Sequence, residues 1–217
     1  VSIGYVGDVV EDVRLHLYTD SDFAGCQRTN RSTSGVFLVL EGPNTYFPIG
    51  YLSKMMSTVA YSTPEGELSA MRFGMQHAGH PGMVMWEMIS GQRQETPPWG
   101  KNSLPHTLFL HGDNAASIQI AKSGKNQTMR SMGRTHGVGL SWITEEIKCG
   151  RVAIGYIITT DMAADIFTKF FPKEKKDTWA AVCRLICVFK PGEEIGAIGM
   201  TGKGHLTATA RKFAQID

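Results

Sequence analysis

Between residues 13 and 20, apolar Val13, Leu15 and Leu17 alternate with Arg14, His16 and Tyr18, the period-two pattern of a strand. The strand ends at the acidic pair Asp20 and Asp22. A second apolar run covers 35–40, followed by the turn signal Glu41-Gly42-Pro43-Asn44 and a short third strand at Thr45-Tyr46-Phe47. Pro48 and Gly50 are expected to break that strand. Thr63-Pro64-Glu65-Gly66-Glu67 combines a capping hydroxyl, an early proline and first-turn acids, a helix start. This helix runs toward Ser90, with Gly74, Gly79, Pro81 and Gly82 predicting a kink or a division.

A loop is expected over 91–106, then a buried strand over 107–113 ending on Asp113 and a short helix over 114–122. A polar, basic connection follows over 123–134. Beyond it the pattern predicts a helix at 139–148, a strand at 151–158 and a helix at 160–170 capped by Thr160 or Asp161. Residues 173–189 read as a basic amphipathic segment with Trp179, Val182 and Ile186 on one face. The Gly-rich tail, 192–217, is expected to be poorly ordered. Strands alternate with helices after an initial meander, which predicts an α/β layer structure with a mixed sheet. The expected division is an N-terminal connection (1–12), a domain (13–172) and a basic, Gly-rich appendage (173–217).

Composition narrows the class. The 217 residues are 42% hydrophobic and 19% charged, enough for one domain with a core and incompatible with disorder throughout. The net charge is only +2, which taken alone disfavours a polyanion partner. That average hides an asymmetry: residues 1–100 carry −4 and residues 101–217 carry +6. Cys26, Cys149, Cys183 and Cys187 lack paired metal-site spacing and read as reduced thiols of the cytoplasm or nucleus. Cys183 and Cys187, at i, i+4, are expected to pack on a helix face. No apolar run approaches the roughly 20 residues that span a bilayer, and no leader pattern opens the chain. The first residue is Val, which suggests a segment of something longer.

Four acids stand in unusual places: Asp20 and Asp113 at strand ends, Glu67 and Asp165 at helix starts. Singly, each is a turn former or an offset to a helix macrodipole. If the two strands are neighbours, all four can meet over one sheet edge, where their mutual repulsion requires cations. With no His or Cys cluster beside them, Mg²⁺ or Mn²⁺ is the expected occupant.

The chain resembles the ribonuclease H domain of copia-type LTR retrotransposon Pol polyproteins. The resemblance rests on Tyr18-Thr19-Asp20-Ser21-Asp22-Phe23-Ala24-Gly25-Cys26, Arg31-Ser32-Thr33-Ser34-Gly35, Ser53-Lys54 and Val59-Ala60-Tyr61-Ser62-Thr63-Pro64-Glu65-Gly66-Glu67. It continues in the family's order with Gly112-Asp113-Asn114-Ala115-Ala116, Arg134-Thr135-His136 and Ala164-Asp165-Ile166-Phe167-Thr168-Lys169. It implies a ribonuclease H-like fold, a five-stranded mixed sheet with helices on both faces. It also implies a metal-dependent endonuclease acting on the RNA strand of RNA/DNA hybrids, joined to a reverse transcriptase in the same polyprotein. Asp20, Glu67, Asp113 and Asp165 become the catalytic and metal-binding acids, with Asp20 preferred over Asp22 and Glu67 over Glu65. Two Mg²⁺ ions about 4 Å apart would clamp the scissile phosphate. Gly66 departs from the family's Ala at a cost of ~1 kcal/mol, which predicts a loosened helix start.

His136 matches a family His that assists water activation or product release, and reads equally as a loop residue. Asn114, Ser32 and Ser34 are candidate contacts to 2′-hydroxyls, or ordinary turn and capping residues. Lys122, Lys125, Arg130 and Arg134 suit phosphate tracking, or form a solvated basic loop. His77 and His80, at i, i+3, read as a helix-surface pair rather than metal ligands. A second reading of the whole is a nuclease-dead nucleic-acid-binding or tethering domain. An integrase-like strand transferase is disfavoured by the acid order ending in Ala164-Asp165-Ile166.

Overall fold

In the computed structural model, which describes residues 2–91, 108–124 and 137–188, five strands form one mixed sheet in the order β3-β2-β1-β4-β5. The strands are β1 (Arg14–Asp22), β2 (Thr33–Gly42), β3 (Thr45–Met55), β4 (Leu108–Gly112) and β5 (Val152–Tyr156). β1 pairs antiparallel with β2 and parallel with β4, so it lies in the sheet interior. Its residues from Leu15 to Ser21 are all buried.

Side-chain alternation along these strands supplies two cores. On one face Leu15, Leu17, Val36, Leu38, Leu108 and Leu110 pack with Leu68, Met71, Met83, Trp86, Ile118 and Ile143. Those partners come from α1 (Thr63–Gly74), α2 (His80–Ser90), α3 (Ala115–Ser123) and α4 (Gly137–Lys148). On the opposite face Tyr18, Phe37 and Val39 pack with Met162, Ala163, Ala164, Leu185 and Ile186. This second layer includes α5 (Lys176–Leu185). The five-stranded mixed sheet with helices on both faces is therefore as expected.

β3 does not break at Pro48 and Gly50. It continues to Met55, with a register shift that pairs Leu38 with Gly50 and Val39 with Pro48 and leaves Ile49 extra. A proline is tolerated because β3 is an edge strand and the bulge removes the need for its N–H. The long helix also persists through its glycines: α1 passes into a π turn at Met75–Gly79 and then into α2. Pro81 lacks the N–H that would bond one turn back, and the ladder widens before it rather than ending.

The expected helix at 160–170 is instead two 3₁₀ turns, Thr159–Asp161 and Ala163–Phe167. Asp165 N–H donates to the Met162 carbonyl and Thr168 N–H to that of Asp165, both three residues back. The segment lies so close to β2 that a Cβ on Gly35 would be 2.8 Å from the Ala164 carbonyl oxygen.

α5 buries Val182 and Leu185, the latter in the second core, while Trp179 remains 45% exposed with its ring edge-on to Phe171. Tyr46 donates its hydroxyl to the Leu185 carbonyl at 2.6 Å. Ile3 N–H bonds the Cys187 carbonyl, and Tyr5 and Tyr46 exchange two backbone bonds, joining both ends of the described chain to β3. Cys187 lies past the helix end with φ 57°, so it shares no helix face with Cys183. All four cysteines are free thiols. Among the described residues no helix is long and apolar enough to cross a membrane. Most of the expected loop at 91–106, and the tail beyond 188, lie outside the described residues.

Candidate active site

The parallel pairing of β1 and β4 sets Tyr18 opposite His111. Asp20 and Asp113 each follow two residues later, so register alone carries both to the same sheet end. Glu67 arrives from the first turns of α1, which packs across β1 through Leu68 and Met71. Oxygens of Asp20, Glu67 and Asp113 lie within 4.8 Å of one another. Three separate elements thus bring three carboxylates into one cluster.

The neighbouring acids of each doublet are committed elsewhere. Asp22 accepts the Thr33 N–H. Glu65 accepts the Tyr61 N–H at 2.9 Å, while Ser62, not Thr63, caps the helix by accepting the Glu65 N–H at 3.4 Å. Together the two bonds satisfy donors at the start of α1 and orient its first turn.

The cluster is buried and electrostatically strained. Asp20 is 2% exposed and Glu67 3%. Burial, then the charges of Asp20 and Asp113, push the Glu67 carboxyl up to about 9. The Ser21 hydroxyl donates to Glu67 Oε1 at 3.3 Å and partly opposes this shift. Burial also raises Asp20, against a hydrogen bond from Thr168 and the charge of Lys169. Thr159 donates to Asp113 Oδ2 at 3.1 Å.

Asp165 stands beside this triangle, within reach of the charges of Asp20 and Asp113 but outside the 4.8 Å group. Its Oδ2 accepts from Lys169 Nζ at 2.6 Å. Burial pushes Asp165 up to about 6, opposed by that bond. Burial works against the Lys169 ammonium, yet its bond to Asp165 and the surrounding acids hold its pKa above the usual lysine value. Ser21, Thr159, Thr168 and Lys169 are the polar partners not singled out in the sequence. The i, i+4 spacing of Asp165 and Lys169 was the available signal.

The donor set is all oxygen. Glu67 Oε2 and Asp165 Oδ1 are buried without hydrogen-bond partners among the described residues. Clustered carboxylates with a buried oxygen left without a donor fit a hard divalent cation. Gly66 has a use here: a Cβ would lie 2.8 Å from Ser21 Oγ, the hydroxyl that bonds Glu67.

The remaining candidates separate. Asn114 caps α3 by accepting the Ser117 N–H at 3.0 Å. Ser32 is buried and accepts the Ala24 N–H at 3.1 Å, closing the turn after β1. Ser34 is buried on β2 and lines a cavity beside α1. Lys122 is exposed in the last turn of α3. His77 and His80 are both exposed, His77 against Phe73 and His80 toward Trp142. Lys125, Arg130, Arg134 and His136 lie outside the described residues.

No protein-family model matches the chain, and no curated protein matches it. Among solved structures it is similar to ribonuclease H1 from the halophilic archaeon Halobacterium salinarum, at 15% identity and TM-score 0.43, over 76% of this chain and 98% of that one. It is also similar to LC11-RNase H1, isolated from compost by a metagenomic approach, at 12% identity and TM-score 0.43, over 77% and 98%. A third is the N-terminal RNase H domain of a Mycobacterium tuberculosis protein, solved fused to maltose-binding protein, at 13% identity and TM-score 0.44, over 78% and 96%. At these identities the reading of the site rests on this chain's own residues.

Proposed function

We propose that the protein is a metal-dependent endoribonuclease that hydrolyses the RNA strand of RNA/DNA hybrids, as the ribonuclease H part of a copia-type retrotransposon Pol polyprotein alongside its reverse transcriptase. The observation that carries this reading is the convergence of Asp20, Glu67 and Asp113 with a buried Glu67 oxygen left without a donor. Asp20, Glu67 and Asp113, with Asp165 beside them, are the residues that would hold two Mg²⁺ ions, Mn²⁺ being the natural substitute. Bound there, divalent ions supply Lewis acidity, a more acidic water and charge for the leaving oxygen.

The chain's own contribution is positional. Ser21 orients Glu67, Thr159 orients Asp113, and Thr168 donates to Asp20. Lys169 pairs with Asp165 and opposes the rise that burial imposes on its carboxyl. His136, after Arg134-Thr135, is assigned to water activation or product release, and Lys122, Lys125, Arg130 and Arg134 to the phosphates of the hybrid.

The test is cleavage of a labelled RNA/DNA hybrid by the full chain in Mg²⁺. Hydrolysis should stop with EDTA and fall to background in Asp113→Asn. Binding of the hybrid without metal-dependent cutting would overturn the nuclease reading in favour of a tethering domain. Within the nuclease reading, the three 2′-hydroxyl candidates narrow to Ser34, since Asn114 and Ser32 already serve a helix cap and a turn.

A further inference from the structure

On the second face of the sheet, a row of residues runs from the acids to the sheet edge. Asp20 pairs with Gly35 and Gly35 with Ser53, so Ser53 lies two strand spacings from Asp20, roughly 10 Å. The Ser53 hydroxyl donates to the Phe167 carbonyl at 2.7 Å and ties the 3₁₀ turn of Asp165 to β3. In the next row Tyr18 pairs with Phe37 and Phe37 with Tyr51. Tyr18 and Phe37 are buried, whereas Tyr51 is 67% exposed. An exposed tyrosine alone is ordinary surface. This one is fixed in its plane, because Phe167 stacks on it with centroids 5.3 Å apart and planes 5° from parallel.

The chain leaving Phe167 extends the pattern. From Phe167 to Trp179 it carries three phenylalanines, one tryptophan and four lysines against two acids. Phe170 is 87% exposed and Trp179 45%, and Lys173, Lys175 and Lys176 are exposed among them. Rings interleaved with exposed cations suit single-stranded nucleic acid, whose bases stack on the rings while the lysines follow the phosphates. Bases within a duplex are already stacked on one another and have no free face to offer. An unpaired base has one, and in the nuclease reading the strand drawn to the acids is the RNA.

We propose that the Tyr51–Phe167 pair is a stacking platform for an unpaired base of the RNA strand where that strand leaves the hybrid. The basic, aromatic segment that follows Phe167 serves the single strand beyond. The substrate class this names is a hybrid with a single-stranded RNA extension. The inference rests on the nuclease reading for the identity of the strand and adds a preference that the acids cannot supply.

The experiment compares, by anisotropy with the full chain in EDTA, a labelled blunt RNA/DNA hybrid and one whose RNA strand carries a short oligoadenosine extension at each end. The extended hybrid should bind wild type at least about fivefold more tightly, the fold-change of one stacked base. Tyr51→Ala should lose that gain and keep wild-type affinity for the blunt hybrid. Tyr51→Phe should retain it, since stacking needs the ring and not the hydroxyl. 2-Aminopurine placed in the extension should be quenched by wild type and Tyr51→Phe and not by Tyr51→Ala. The part of the gain that Tyr51→Ala loses should not change as KCl rises, because stacking releases no counterions. Tyr51→Thr, which removes the ring and keeps strand propensity, takes the place of Tyr51→Ala should that variant fail to fold. No gain from the extension, with the blunt hybrid bound in EDTA and cut in Mg²⁺, would overturn the platform and leave the nuclease reading standing. A gain that survives loss of the Tyr51 ring would place the single strand elsewhere, and an equal Tyr51-dependent gain from a DNA extension would overturn the assignment to RNA. Concentration-dependent dimers in sedimentation, lost in Tyr51→Ala, would make the pair a protein contact and equally overturn the proposal. A wild-type chain that neither binds nor cuts either hybrid would remove the nuclease reading, and this inference with it.

Discussion

Glu67 concentrates the electrostatic cost of the site, because its carboxyl is pushed up from 4.5 to about 9 by burial and by two neighbouring acids. The folded, metal-free protein therefore binds this proton more tightly than the unfolded chain does. The stability it contributes is complete below pH 4.5 and is lost as pH rises through about 9. Glu67→Gln should abolish that dependence and raise the melting temperature of the metal-free protein at pH 8 by at least ~2 °C, the lower end of what 1 kcal/mol gives at this size. A variant less stable than wild type at pH 8 would contradict the repulsion argument. Mg²⁺ should raise the wild-type melting temperature at pH 8 and raise that of Glu67→Gln less, since only the wild type gains the relief of a neutralised carboxylate. At this scale the acids themselves were legible in the sequence, and the choice of Asp20 and Glu67 within each doublet came from the resemblance. Backbone contacts from Thr33 and Tyr61 occupy Asp22 and Glu65; the first joins groups eleven residues apart that no local pattern connects, the second belongs to the helix cap.

Two glycines control how closely the elements approach the site. A Cβ on Gly35 would lie 2.6 Å from Thr168 Cγ2 and 2.8 Å from the Ala164 carbonyl, against backbone that cannot yield. Gly35→Ala should therefore destabilise by about 1–3 kcal/mol, as overpacking does, and slow cleavage by displacing the turn that carries Asp165 and Lys169. Thermal melting and hybrid cleavage measure the two effects. Gly66→Ala meets only the Ser21 hydroxyl, which can rotate. Its expected outcome differs in stability alone: within ~1 kcal/mol of wild type, with slower cleavage once Ser21 no longer orients Glu67. A local reading treats Gly66 as a weak helix residue, and the packing of α1 on β1 gives it a purpose. The 3₁₀ turns at 159–167 and the uninterrupted β3 have similar origins: close approach to Gly35 tightens one, and an edge position with a bulge permits the other.

Over the whole molecule, the sheet needs cover on both faces. Leu185 and Ile186 belong to the second core, and at roughly 1.5–3 kcal/mol per buried side chain their sum is comparable with the lower end of the ~5–15 kcal/mol stability of a typical domain. A chain ending at residue 172 should lose its near-UV circular dichroism and bind ANS while keeping much of its far-UV signal. Cooperative melting of that shortened chain at the full-length temperature would show that α5 contributes nothing essential. The small net charge of +2 belongs to this scale too, because it averages buried acids at one sheet end with basic groups elsewhere in the chain. An average over the chain carries no information about that separation.

The sequence by itself determined where the strands lie, through alternation in β1 and apolar runs in β2 and β4 though not the full length of β3, the main helices, through their apolar spacing and caps, and the position of each acid at an element end. Those are local properties, set by backbone geometry and by which side chains can be buried. Only the tertiary structure decided that three acids meet while Asp165 pairs with Lys169, that α5 closes the second face, and that Tyr51 and Phe167 stack. Each depends on strand order and on contacts between residues far apart in the chain, where burial and charge act through space rather than along the sequence.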